Sequence, residues 1–282
     1  MRRDLSALQG GRGAGQERTA RGDARRVAAT GGLRAGTPGR ITTATFVLVH
    51  GAWHGGWCYR QVAQRLRQAG HEVYTPTLTG LGERAHLMNR TINLDTHVQD
   101  VLGVIRCEEL SDFVLCGHSY GGMVITGVTE KISEKIRSLV YLDAFVPLNG
   151  HSLLDMVPAE MQEAMRDDAR HNGEGYLVTP LSAGFFNVNA KDAAWVDRMC
   201  VKHPIACFEQ KLQLAGGIGR VPRRTYVLAT GYGAGAGLPF TSIAARLKND
   251  GNAWHIVSVP CGHDVMVDLP DEVAELLIAA SA

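Results

Sequence analysis

Short apolar runs that alternate with longer stretches of helical periodicity set the limits on what this chain can become. Residues 46–49, 72–74, 113–116, 136–142, 225–229 and 255–259 read as strands. Between them, residues 57–69 carry Val62, Leu66 and Ala69 at helical spacing and close on Gly70. Residues 94–106 are amphipathic through Val98, Val101, Leu102 and Ile105, and residues 121–130 and 271–280 also read as helices. Such alternation builds βαβ units and a mostly parallel sheet of about six strands, with helices on both faces. Right-handed crossovers bring the C-terminal ends of the strands to one edge, where ligands bind.

Two segments break the rhythm. Residues 148–220 are too long for one crossover. They hold helical pieces around 152–168 and 190–201, and are expected to form an inserted cap over the sheet edge. Residues 1–40 contain nine Arg, no Lys, three acids (Asp4, Glu17, Asp23) and nine Gly, a local charge of +6 in a chain whose formal charge is +1. With few large apolar residues they cannot offset their ordering entropy, so a disordered basic tail is expected, with the folded domain spanning 41–282. The tail lacks the apolar core of a secretory signal. The glycine-rich tract 231–237 reads as a flexible loop.

Composition excludes several classes of function. Near-neutral net charge leaves no global footprint for nucleic acid. No apolar run is long enough to span a membrane. The six cysteines are scattered with no C-x-x-C pair, which reads as mostly buried thiols in a reducing, cytoplasmic compartment.

The chemistry concentrates at Gly117-His118-Ser119-Tyr120-Gly121, a G-x-S-x-G string between an apolar strand and a helix. Small residues at 117 and 121 permit a sharp turn that projects Ser119 at the sheet edge, where the N–H groups of the following helix point at the reacting centre. A serine hydroxyl needs a base. His263 follows the last strand and precedes the last helix, where the chain order Ser, acid, His puts one. The loop after the next-to-last strand holds no Asp or Glu. Asp143, ending the strand beside that of the nucleophile, is the expected acid, while Asp268 is expected to help cap the last helix. The loop His50-Gly51-Ala52-Trp53 faces the nucleophile turn, so the backbone N–H groups of Ala52 and Tyr120 are the candidate oxyanion donors. Trp53 and Trp57 are expected to wall the pocket. His50 and His54 stand four apart but on a loop without H-E-x-x-H, so no metal is expected.

Four ordered strings, 47–57, 116–122, 141–147 and 262–267, together resemble the α/β-hydrolase superfamily, and most of all its methylesterase and hydroxynitrile-lyase branch. The resemblance covers about 46–280. Residues 77–87 and 141–147 also resemble bacterial ester and carbamate hydrolases, including those acting on the methyl carbamate carbendazim. The plant members of this branch place their acid after the later strand, so Asp143 is a departure. The resemblance implies acyl transfer: Ser119 attacks, His263 moves the proton, Asp143 orients the imidazole, and no cofactor is required. The expected partner is a small ester or carbamate, with at most a second copy of the chain in a homodimer, and neither nucleic acid nor membrane. A cyanohydrin lyase is disfavoured, because in that group Lys follows the histidine and Thr follows the histidine ending the first strand, where this chain has Asp264 and Gly51. A hydrolase-fold ligand receptor with little turnover is the alternative of another class.

Overall fold

Strand β1 (Thr45–Val49) is buried at every position after its first, and β3 (Phe113–His118) is buried throughout. Runs of this kind, apolar on both faces, are what a parallel sheet covered by helices on either side demands. The computed structural model describes residues 43–231, 238–250 and 254–282. The expectations for residues 1–40, and for all but the first residue of the 231–237 loop, lie outside them. Adding β2 (Glu72–Tyr74), β4 (Ile136–Leu142), β7 (Arg223–Ala229) and β8 (His255–Val259) completes a six-stranded sheet of order β2-β1-β3-β4-β7-β8. Every pairing in it is parallel. Two more strands, β5 (Leu177–Val178) and β6 (His203–Pro204), form a separate antiparallel pair.

Helices pack around the sheet. α1 (Arg60–Gln68) lies against α10 (Pro270–Ser281), and α2 (Leu94–Cys107) against α3 (Gly121–Ile132). The expected helix over 57–69 divides into a 3₁₀ turn, Gly56–Tyr59, and then α1. α2 starts where it does because the Asn93 side chain accepts the Thr96 N–H at 3.1 Å while the Thr96 hydroxyl accepts the Asn93 N–H at 3.3 Å, a reciprocal cap. β3 runs two residues past its apolar core, because Gly117 and His118 stay in register with Tyr141 and Leu142 of β4.

The segment after β4 holds α4 (Ala159–His171), α5 (Ala193–Met199), α6 (Ala206–Glu209) and α7 (Gly217–Arg220), together with β5 and β6. The helical pieces expected around 152–168 are a 3₁₀ turn, Leu154–Met156, and then α4, divided at Pro158, which disfavours helical backbone in the residue before it. Helix α8 (Phe240–Lys248) was not singled out by the apolar pattern. The short α9 (Val265–Asp268) follows the histidine loop. None of the described helices is long and apolar enough to cross a membrane.

Candidate active site

The turn from β3 into α3 holds Ser119 at φ 52°. A left-handed conformation costs a non-glycine residue about 1–2 kcal/mol, so the surroundings must enforce it. They do so by close approach. A Cβ on Gly121 would lie 2.6 Å from the Val49 carbonyl oxygen, and one on Gly117 would lie 2.6 Å from that of Gly121. The Ser119 carbonyl accepts the N–H groups of Gly122 at 3.0 Å and Phe145 at 3.1 Å, which pins the turn to the chain leaving β4.

His263 sits between β8 and α9. Its N–H donates to Phe186 O at 2.9 Å, and its own carbonyl accepts His118 Nε2–H at 3.0 Å. The ring stacks on Phe240 with centroids 5.0 Å apart and is flanked by Phe186 at 4.9 Å. Its Nδ1 lies 2.7 Å from Asp143 Oδ2. Asp143 is fully buried at the end of β4 with φ 44°. Its N–H donates to Val227 O at 2.7 Å and its Oδ1 accepts the Ala229 N–H at 3.1 Å. The carboxylate is thus held by the strand that follows it in the sheet, the one whose own loop lacks an acid.

The loop after β1 is gripped by three imidazoles. His50 Nδ1–H donates to Gly51 O at 2.9 Å, and its Nε2 accepts the Leu78 N–H at 3.1 Å. His54 Nδ1–H donates to Ala52 O at 2.7 Å. His203, from β6, accepts the Trp53 N–H on Nδ1 at 3.2 Å. A planar trans peptide points its C=O and N–H in opposite directions, so anchoring the Gly51 carbonyl turns the Ala52 N–H away from His50. Among the described residues neither the Ala52 nor the Tyr120 N–H has a hydrogen-bond acceptor. Ala52, Tyr120, Ser119 and His263 line one cavity.

That cavity has room for about 30 Å³, roughly one water molecule. Trp53, Met161, Met165 and Leu181 separate it from an outer groove of about 650 Å³ that they also line. The groove continues over Pro180 and Phe185 and carries two carboxylates, Glu160 and Asp168. Residues of the inserted segment therefore wall both spaces. Trp57, expected at the pocket, lines neither. Its ring stacks on His54 at 5.1 Å and meets Trp195 edge-on at 4.9 Å. The cause is the 3₁₀ turn that carries it, which turns the side chain behind the loop.

Burial lowers four of the histidines around the site. It pushes His50 down to about 3 and His97 to about 4, and holds His118 and His203 well below the usual range. His54 goes the other way: burial opposes its charge, but the Asp264 carboxylate 3.0 Å from Nε2 more than offsets that, so it is raised. Asp264 is correspondingly held low against its own burial.

Two groups of side chains lie close enough to suggest a metal, His97–His203–Cys207 and His118–His263–Asp264. The tautomers speak against the first. His203 Nδ1 accepts a backbone N–H, so Nε2 carries the proton and offers no lone pair. His97 donates Nε2–H to Thr79 O at 3.0 Å and accepts the Tyr120 hydroxyl on Nδ1 at 2.9 Å. In the second group, Asp143 holds His263 Nδ1, the His263 carbonyl holds His118 Nε2–H and His54 holds Asp264 Oδ2, while Asp264 Oδ1 and His118 Nδ1 have no hydrogen-bond partner among the described residues.

The roles of Phe186, Phe240, His203 and the His54–Asp264 pair had no local signal in the sequence. Asp268 does not cap α10. Its Oδ1 accepts the Asn189 N–H at 3.0 Å and its Oδ2 the Gly262 N–H at 3.1 Å, bracing the histidine loop.

Residues 46–276 match the alpha/beta hydrolase family. The chain is 50% identical over 246 residues to a carbendazim hydrolyzing esterase of Nocardioides sp. (strain SG-4G), covering 84% of this chain and 99% of that protein. It is 34% identical over 137 residues to methylesterase 1 of Arabidopsis thaliana, covering 42% and 48% respectively. Among solved structures, an extracellular alpha/beta-hydrolase from a Paenibacillus species superposes with a TM-score of 0.72 at 27% identity, over 84% of this chain and 98% of that one. That protein is described as sharing structural and functional homology with tobacco salicylic acid binding protein 2.

Proposed function

The chain belongs to the α/β-hydrolase family and is a carboxylic-ester hydrolase, and from that premise we propose that it works through a Ser119–His263–Asp143 triad on small esters and methyl carbamates. The observation that carries this reading is the 2.7 Å contact between His263 Nδ1 and Asp143, with His263 and Ser119 on the wall of one cavity.

Asp143 accepts Nδ1–H and so keeps Nε2 of His263 as the basic nitrogen. Ser119 Oγ attacks the carbonyl carbon while Nε2 takes its proton, and the Ala52 and Tyr120 N–H groups receive the oxyanion. The positive end of α3 adds to that stabilisation. His263 then returns the proton to the departing alkoxide, leaving an acyl- or carbamoyl-serine. Water, deprotonated by the same imidazole, releases the acid.

The two spaces divide the substrate. The small inner cavity suits a compact group beside the reacting carbonyl, such as a methyl ester. The larger apolar groove suits a flat aromatic body, and its two carboxylates favour ring N–H donors. This fits the methyl carbamate of the esterase from Nocardioides. Asp264 at the position where the lyases carry Lys makes cyanide, an anion, a poor fit to the site.

The purified full chain is to be assayed against acetyl, decanoyl and aryl p-nitrophenyl esters and against carbendazim. Repeated turnover of acetyl esters and of the carbamate is expected, with long acyl chains poor. Ser119→Ala should lose several orders of magnitude and resist labelling by an organophosphate that labels the wild type. Activity of that variant within tenfold of wild type removes the triad. A single equivalent of product with no further turnover means a ligand receptor instead.

A further inference from the structure

We propose that His54 and Asp264 are positioning residues for the oxyanion loop: a buried ion pair that fixes the Ala52–Trp53 peptide and so, through Ala52, steadies the adjoining Gly51–Ala52 plane that carries the Ala52 N–H. This rests on the reading of that N–H as an oxyanion donor given above.

Both partners are buried, His54 to 3% and Asp264 to 0% exposure. Charged groups are kept in such a place only when paired. The geometry requires the charged form of His54. Its Nδ1 lies 2.7 Å from the Ala52 carbonyl and its Nε2 lies 3.0 Å from Asp264 Oδ2. Both neighbours are acceptors. A neutral imidazole has one N–H and could serve only one of them, while the cation serves both. The ring has no freedom to choose, because Trp57 lies stacked across its face, 20° from parallel.

What the pair holds is a strained segment. Trp53 adopts φ 64°, unusual for a bulky residue. Its peptide is clamped from both ends, the Ala52 carbonyl by His54 and the Trp53 N–H by His203 at 3.2 Å. The next peptide back is clamped at the Gly51 carbonyl by His50. With two successive planes fixed, the Ala52 N–H has one direction left. Asp264 also adjoins His263 in the chain, so one carboxylate ties the loop after β1 to the loop after β8, strands that are not neighbours in the sheet. The other groups facing His54 are Cys200, with Sγ 4.0 Å from Nδ1, and His118, with ring centroids 6.0 Å apart. His50 faces it from its own loop.

Asp264→Asn tests the pair in the full chain. Asn keeps a polar partner for Nε2 and removes the charge, so burial opposes the His54 cation without an offset and the charge-assisted hold on the Ala52 carbonyl is lost. Toward p-nitrophenyl acetate at pH 8, kcat should fall 10²–10³-fold, the loss typical of an oxyanion donor, with KM changed less than about threefold. A merely structural role would not split kcat from KM in this way. Asp264→Glu should recover part of the loss. A trifluoromethyl ketone, which forms the tetrahedral adduct, should weaken in step with kcat.

A kcat within threefold of wild type, or a loss in kcat that the affinity for the trifluoromethyl ketone does not follow, overturns the proposal. If Asp264→Asn does not fold, histidine-selective ¹⁵N spectra of the wild type at pH 8 decide. One ring with both nitrogens protonated supports the pair, and all rings neutral overturns it. A wild type that neither turns over esters nor takes an organophosphate on Ser119 removes the esterase reading beneath, and this one with it. Normal labelling with an unaffected variant removes only this one.

Discussion

The Nδ1 of His263 and the Oδ2 of Asp143 lie 2.7 Å apart, although 120 residues separate them in the chain. The second Asp143 oxygen is occupied by the Ala229 N–H at 3.1 Å. One carboxylate therefore joins the end of β4, the end of β7 and the loop after β8. A neutral imidazole held this way carries its proton on Nδ1 and presents Nε2 as the basic nitrogen.

Replacing that carboxylate should expose its role. Asp143→Asn presents an amide in the same place and permits the wrong tautomer. We expect kcat to fall by about 10³–10⁴ with a much smaller change in KM. Steady-state kinetics on an acetyl ester checks this, and near-normal turnover would mean a Ser119–His263 dyad.

Ser119 trades stability for its position. At φ 52° a glycine carries no Cβ penalty, so Ser119→Gly should raise Tm by about 2–4 °C, near 1 kcal/mol for a domain of this size. Ser119→Ala keeps the Cβ and should gain nothing. Calorimetry of the two inactive variants separates strain from loss of the hydroxyl, and equal melting temperatures would refute the strain.

Stability should fall in mild acid. Burial lowers His50 to about 3 and His97 to about 4, so both stay neutral in the folded chain while the unfolded chain takes up protons below about 6.5. Their contribution is complete above that value and is lost as pH falls toward the folded values. By pH 5 each forfeits about 2 kcal/mol. His54, raised by Asp264 against its burial, has the opposite sign and loses its contribution only in alkali. Tm should drop by roughly 10 °C between pH 7 and pH 5. His97→Gln should melt lower at pH 7 but with a shallower pH slope. A flat profile would show that these rings do not stay neutral.

Met161 stands between the inner cavity and the outer groove. Met161→Ala should open the partition and raise kcat/KM for butyryl relative to acetyl esters about tenfold or more, at about 1–3 kcal/mol per methylene accommodated. An unchanged ratio would place the acyl limit elsewhere.

Deletion of residues 1–40 is expected to leave ester turnover unchanged and to move Tm by less than about 5 °C. The argument is compositional: nine Arg and nine Gly offer little to bury. A larger fall would mean that the segment packs on the domain.

How far each feature could be read along the chain follows from its range. The strands at 72–74, 136–142 and 255–259 match the observed bounds, since period and β-branched content act within a few residues. The Ser119 elbow is equally local, because its glycines and the strand before it are contiguous. Asp143 was reachable by elimination, from a loop with no acid and a neighbouring strand that ends in one. Trp57, by contrast, carries the same apolar signal as Trp53 but lines neither space, because it sits in the 3₁₀ turn Gly56–Tyr59 while Trp53 lies in the loop before it at φ 64°. The His54–Asp264 contact spans 210 residues, and His203 reaches Trp53 across 150. No periodicity encodes such pairs. They exist because the parallel sheet brings the loops after β1 and β8 to one edge and the inserted segment closes over them. In that dry space a charge persists only beside its opposite, and a strained peptide only where both of its ends are held.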